Sequence, residues 1–210
     1  MKFSEMPYKR ADIEEAKSDF AKLMADFDNA KSGEEQFEVH KRYYKTVNRI
    51  YTQMTLAEIR HSIDVTDEFY SRENDYYDEN GPVLQSLIVD YGKKLYNSEY
   101  RTFLESKIGK VAFKNLELSM KSVDDKIIPL MQEENSLKSR YDKLLATAKI
   151  DWKGETLNLS LMSPYLNNSD RNIRVEAWKK YTEFFSNNKE ELDDIYDRLV
   201  KNRTAQAEKL

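Results

Sequence analysis

Apolar residues recur at three- and four-residue steps along most of this chain, and a single stretch departs from that period. Asp12 opens a first helix whose stripe is Ile13, Ala16, Phe20, Leu23 and Phe27, and Lys31-Ser32-Gly33 closes it. Ser32 with Glu35 makes a capping box for a long second helix carrying Phe37, Tyr44, Val47, Tyr51, Met54 and Ile59 without a glycine or proline. A helix of that length needs neighbours along it, which predicts an extended bundle. The pattern pauses at Asp64-Val65-Thr66, and Thr66 or Asp67 can cap a continuation through Phe69, Tyr70, Tyr76 and Tyr77. Gly81-Pro82 predicts a break or kink before Val83, Leu87, Tyr91 and Leu95. Asn97-Ser98 starts a segment through Phe103, Leu104, Ile108, Val111, Phe113, Leu116 and Met120, with Gly109 as its weak point.

Ser122 and Asp125 suggest a further capping box, and Pro129 predicts a bend or a late helix start before Met131, Leu137, Tyr141, Leu144 and Leu145. The exception to the helical period follows. Residues 148–152 and 155–159 alternate with period two around Lys153-Gly154, the pattern of a short hairpin whose turn needs φ > 0 at Gly154. Gly33 lies near a helix start, where other residues fit, so valine at 154 is expected to damage folding more than valine at 33. Pro164 then breaks the chain, Ser169 can cap a new helix with Asp170 at its positive end, and Ile173, Ala177, Tyr181 and Phe184 form the stripe. After Asn187-Asn188 a last helix carries Leu192, Ile195, Leu199 and Val200 to the end of the sequence. The fold class is therefore all-α: an elongated multi-helix bundle with one small β-hairpin near residues 148–159.

Composition narrows the function classes. With 40% hydrophobic residues, 210 residues can bury a core as one large domain or two small ones, and no linker argues for two. Lys+Arg 34 against Asp+Glu 38 leaves a net charge of -4, which argues against nucleic-acid binding. There is no cysteine, hence no disulfide and no thiolate metal site. The first residues lack an apolar signal core and no run approaches about 18 apolar residues, so a non-membrane, cytoplasmic protein is expected. The 14 tyrosines suit wide helix-helix spaces or a peptide-binding wall, and their helical spacing favours packing.

Catalytic signatures are missing. A thermolysin-like zinc site needs two histidines one turn apart in H-E-x-x-H. The two histidines here, His40 and His61, are followed by Lys41 and Ser62 and open no such motif. His61 reads as a structural helix histidine and His40 carries less information still. The sequence has no G-x-G-x-x-G, Walker loop or G-x-S-x-G elbow, and carboxylate pairs such as Asp64 with Asp67 or Asp75 with Asp78 arise readily at 34% charged residues. No catalytic, metal-binding or substrate-binding residue is assigned.

A family resemblance supplies what these patterns do not. Glu133-Glu134-Asn135, the run 144–150, Gly154 to Ser160 and Asp170 to Trp178 resemble the amino-terminal half of an oligoendopeptidase F-like zinc metallopeptidase of the thimet-oligopeptidase-like group. The opening Met1 to Tyr8 and the segment Ile59 to Tyr70 are similar to the same family, so the resemblance covers the whole chain. Ala11 and Asn172 depart from its usual proline and glutamate, weakening two helix starts. The resemblance implies that residues 1–210 are the amino-terminal helical domain of a cytoplasmic metalloendopeptidase, with the catalytic zinc domain absent. In that family the H-E-x-x-H helix and the remaining catalytic groups lie downstream, and the matched half forms one wall of a deep cleft for short peptides. The implied partners are short peptides and the missing catalytic half; zinc belongs to the full-length family and to no residue here. Alone the chain should be inactive, expose apolar surface and tend to self-associate. The alternative is a free-standing, noncatalytic helical interaction module.

Overall fold

The computed structural model describes residues 2–210; Met1, the first residue of the opening motif, lies outside the described residues. The described residues are all-α, with one two-stranded antiparallel hairpin. They divide into two compact units, residues 1–132 with 206–210, and residues 133–205.

The first unit contains α1 (Ile13–Asn29), α2 (Gly33–Ile63), α3 (Glu68–Tyr96), α4 (Arg101–Ile108) and α5 (Lys110–Ser119). The expected capping residues act at three of these starts. Asp12 accepts from the Glu15 amide, Ser32 from the Glu35 amide, and Asp67 from the Phe69 and Tyr70 amides, each satisfying donors that the first turn leaves free. The stripe of α1 is buried at Ala16, Phe20, Leu23 and Phe27 and packs with Val39 and Ile50 of α2, Leu84, Tyr91 and Leu95 of α3, Leu104 of α4 and Phe113 of α5. Burial of each large member of such a stripe stabilises by about 1.5–3 kcal/mol as an upper estimate.

Three expectations change in this unit. Gly81-Pro82 does not end a helix: α3 runs unbroken from Glu68 to Tyr96 with Pro82 inside it and buried. Proline removes the amide that would have reached the Asp78 carbonyl, and the helix continues through it because Leu84, Tyr91 and Leu95 beyond it are packed into the core. Gly109 is a full break, with φ 108°, separating α4 from α5. Gly33 is buried, and a Cβ there would lie 2.6 Å from Phe103 Cδ1 and 3.1 Å from Phe103 Cβ. The position is closed by packing rather than open to other residues.

A 3-10 turn at Asp125–Ile127 precedes α6 (Ile128–Ala146), placing Pro129 in the first turn where its missing amide costs nothing. The late start therefore replaces a bend. The unit boundary falls inside α6, and again inside the last helix, so no separate linker joins the units.

The second unit holds the rest of α6, the strands β1 (Ile150–Trp152) and β2 (Glu155–Leu157), the short helix α7 (Ser163–Leu166), α8 (Arg171–Asn187) and most of α9 (Lys189–Lys209). Trp152 pairs with Glu155 around a turn in which Lys153 (φ 54°) and Gly154 (φ 89°) both adopt positive φ. The strands are shorter than the alternating segments that predict them. Asp170, not Ser169, caps α8 by accepting from the Asn172 amide. Ile150, Trp152, Met162 and Ala177 form a small core, with Tyr165, Leu166, Ile173, Tyr181 and Phe184 packed around it.

Candidate functional site

Both histidines lie on α2, His40 in its second turn and His61 in its last. Twenty-one residues of helix separate them by about 30 Å, so they cannot share one metal ion. His40 is buried among Tyr43, Tyr44 and Tyr91, while His61 is partly exposed. Among the described residues no group of three His, Asp or Glu side chains is disposed to hold a metal. The carboxylate pairs singled out in the sequence have local duties. Asp64 accepts from the Thr66 amide at 2.9 Å and from its hydroxyl at 2.6 Å, contacts that hold its carboxyl below the usual range, and Asp67 caps α3. Asp78 accepts from Asn74 at 3.2 Å, and Asp75 is exposed.

The most elaborate polar centre is one that the sequence patterns did not single out. Glu73 of α3 is only 4% exposed. Its carboxylate accepts from Arg10, through Nε at 2.9 Å and through Nη2, and from the Tyr8 hydroxyl. The Arg10 guanidinium lies 4.4 Å from the centre of the Tyr76 ring. Around it the backbone of the amino-terminal segment is held by side chains of α2 and α3: Lys9 N donates to Gln53 Oε1 at 2.8 Å, and Ala11 N and Ile13 N donate to the Tyr77 and Tyr76 hydroxyls at 2.9 Å each. Glu73 therefore fastens residues 8–13 to the long helices. Hydrogen bonding to Arg10 holds its carboxyl below the ordinary glutamate range despite burial, and burial with the Glu73 contact pushes the Tyr8 hydroxyl far up. The group is a fixed carboxylate, with no nucleophile beside it. A weak sequence signal existed, because Glu73 lies one helical turn before the partly buried Tyr76 and Tyr77.

Depressions among the described residues of this unit include the following. A cleft of about 10 Å³ beside Tyr76, Tyr77 and Ile13 is at the lower limit for a single water. An open surface hollow lined by Asp26, Glu35, Glu38 and Arg42 contains an ion pair, Arg42 to Asp26 at 2.7 Å. Neither assembles a nucleophile with a base.

In the second unit, ion pairs connect α6 with α9. Arg140 meets Glu191 and, at 2.9 Å, Asp194; Glu133 accepts from Arg198 at 2.7 Å and from Asn202 at 2.9 Å; Glu134 accepts from Arg203 at 3.0 Å. Trp152 packs on Tyr165 with ring centres 5.0 Å apart, whereas Trp178 is 60% exposed and stacks at 6.3 Å on Tyr181. Glu133, Glu134 and Trp178 thus belong to structural pairs and to an aromatic surface, and no catalytic group accompanies them.

The tyrosines divide accordingly. Tyr43 and Tyr91 stack 3.9 Å apart in the core, Tyr76 and Tyr77 secure backbone, and Tyr44 and Tyr196 are exposed.

No curated protein matches the chain. The profile of the Peptidase M3 N-terminal domain matches residues 3–123. Among solved structures, an oligoendopeptidase F from Bacillus anthracis strain Ames is 42% identical, with a TM-score of 0.98 over 100% of this chain and 38% of its own. PZ peptidase A, solved with an inhibitor, is 40% identical with a TM-score of 0.97 over 99% of this chain and 37% of its own. A further oligoendopeptidase F gives 40% identity and a TM-score of 0.97 over 100% of this chain and 37% of its own. The chain thus spans well under half the length of the structures it resembles. Its helical fold and its sequence agree on one origin: the chain belongs to the peptidase M3 family and corresponds to the amino-terminal region of an oligoendopeptidase F-like peptidase.

Proposed function

We propose that residues 1–210 are the amino-terminal helical domain of a cytoplasmic, zinc-dependent oligopeptidase, where they form one wall of the cleft that admits short peptides. The observation that carries this reading is the agreement with oligoendopeptidase F in sequence and fold across the whole chain at 42% identity. The zinc ligands, the water-activating glutamate and the peptide-polarising groups would come from polypeptide outside these 210 residues. This chain's own residues supply shape. Glu73 with Arg10 and Tyr8 fixes the amino-terminal segment against α3, and the ion pairs of Glu133, Glu134 and Arg140 hold α6 to α9. No helix among the described residues is long and apolar enough to cross a membrane, in keeping with the proposed compartment.

The reading predicts that the purified chain retains less than stoichiometric zinc after dialysis and does not cleave a quenched short peptide when zinc is added. Metal analysis and a fluorescence assay check both. One tightly held zinc per chain, lost on His61→Ala, would show that the chain carries a metal site of its own and would overturn the assignment.

A further inference from the structure

His40 is the buried titratable group that no contact described above requires. Its ring lies in a stack of aromatic rings, nearly parallel to Tyr43 at 5.7 Å and to Tyr91 at 6.0 Å, with Tyr44 edge-on at 5.0 Å. Nδ1 faces the Tyr91 hydroxyl at 3.4 Å, and Nε2 is buried with no hydrogen-bond partner. We propose that His40 is an acid-sensitive latch of the first unit: neutral, it completes the stack between α2 and α3, and protonated it leaves the stack and loosens the packing of α1, α2 and α3.

The two protonation states of the ring differ in how many of their donors the site can satisfy. A neutral imidazole carries one N–H and exchanges one weak contact with Tyr91. The imidazolium carries two N–H donors and a full charge, and only the Tyr91 oxygen is in reach, so one donor and most of the charge stay uncompensated in an apolar site. The groups facing the ring are phenols: Tyr43 and Tyr44 from its own helix and Tyr91 from α3. From α1, Phe27 packs edge-on against Tyr91 at 5.7 Å. The Arg42 charge acts on Tyr91 and would in any case oppose a second cation. No carboxylate acts on the ring, and burial alone lowers the His40 pKa to about 4.

The sign follows from linkage. The unfolded chain has histidine at its ordinary value near 6.5, so between pH 6.5 and 4 it binds the proton that the folded chain refuses. Stability is unaffected above that window and falls as pH falls through it. The depressed carboxylates, Glu73 among them, act mainly below about pH 4.5, which leaves the interval from pH 7 to pH 5 to His40.

The test uses the full chain. Urea unfolding of the parent chain should show the folding equilibrium constant about 20-fold smaller at pH 5 than at pH 7 on account of His40, and His40→Gln should abolish that dependence. Equal pH dependence in the two chains would overturn the proposal. If His40→Gln does not fold, NMR titration of the parent chain decides: with two histidines, a His61→Gln variant assigns the His40 ring signal. Titration near pH 4, accompanied by loss of dispersion in signals from α1, α2 and α3, supports the latch. Titration near 6.5 in a chain that stays folded refutes it.

Discussion

Glu73 shows how much one buried carboxylate can organise. It sits on the inward stripe of an amphipathic helix, a place where an unpaired charge would cost several kcal/mol, and it is tolerated because Arg10 and Tyr8 supply three donors. Glu73→Ala should lower stability by roughly 1–3 kcal/mol, less than for a fully buried pair because Arg10 is half-exposed and can be solvated when its partner is lost. Urea unfolding at pH 7 checks this, and a variant as stable as the parent would show that residues 8–13 are held by the tyrosine hydroxyls alone. Because Arg10 lowers the Glu73 carboxyl, its contribution is complete above the unfolded glutamate value and disappears as pH falls below it, so Glu73→Gln should flatten the acid limb below about pH 4.5. The sequence patterns did not single out Glu73. Its partners stand more than sixty residues earlier in the sequence, and a long-range pair leaves no local spacing to read.

At the scale of elements, some start signals were legible and others were not: Ser169 yields its capping role to Asp170, and Asp124 rather than Ser122 caps the turn before α6. Asp12, Ser32 and Asp67 cap their helices because capping is local, a side chain reaching an amide two or three residues on. Pro82 was misleading for the opposite reason: tertiary packing of α3 against α1 and α2 outweighs the local cost of proline. The glycines make the same contrast. Gly154 has an intrinsic need, φ 89° with open space around its Cα; Gly33 has a contextual one, the ring of Phe103 at 2.6 Å from where a Cβ would sit. The expected order of damage is therefore reversed. Gly154→Ala should cost about 1–2 kcal/mol of left-handed strain, whereas Gly33→Ala must shift Phe103 at its Cβ as well as its ring and should cost more. Thermal melts of the two alanine variants decide, and a Gly33→Ala chain melting with the parent would contradict the packing argument. Gly154→Asn, with a residue that tolerates positive φ, should recover most of the loss at the turn.

For the molecule as a whole, helical class and hairpin position were legible because both are periodic properties of neighbouring residues, whereas the function was not: the chain carries no catalytic constellation, and what identifies it is the order of several moderately specific segments along its length. The surface bears on the remaining question of how the chain works. Exposed apolar residues occur on both units, Ile63, Val111 and Leu118 on the first and Val175, Trp178 and Tyr196 on the second. The central claim is that these 210 residues provide a wall and not a catalyst, and mixing measures it most directly: the chain is combined with a separately expressed polypeptide carrying the H-E-x-x-H region of an oligoendopeptidase F, and cleavage of a short quenched peptide is followed. The account predicts cleavage by the mixture in the presence of zinc and none by this chain alone, together with a complex of the two that sediments faster than either. A chain that remains strictly monomeric in the mixture and adds nothing to the activity of the catalytic region would contradict it and favour an independent helical interaction module.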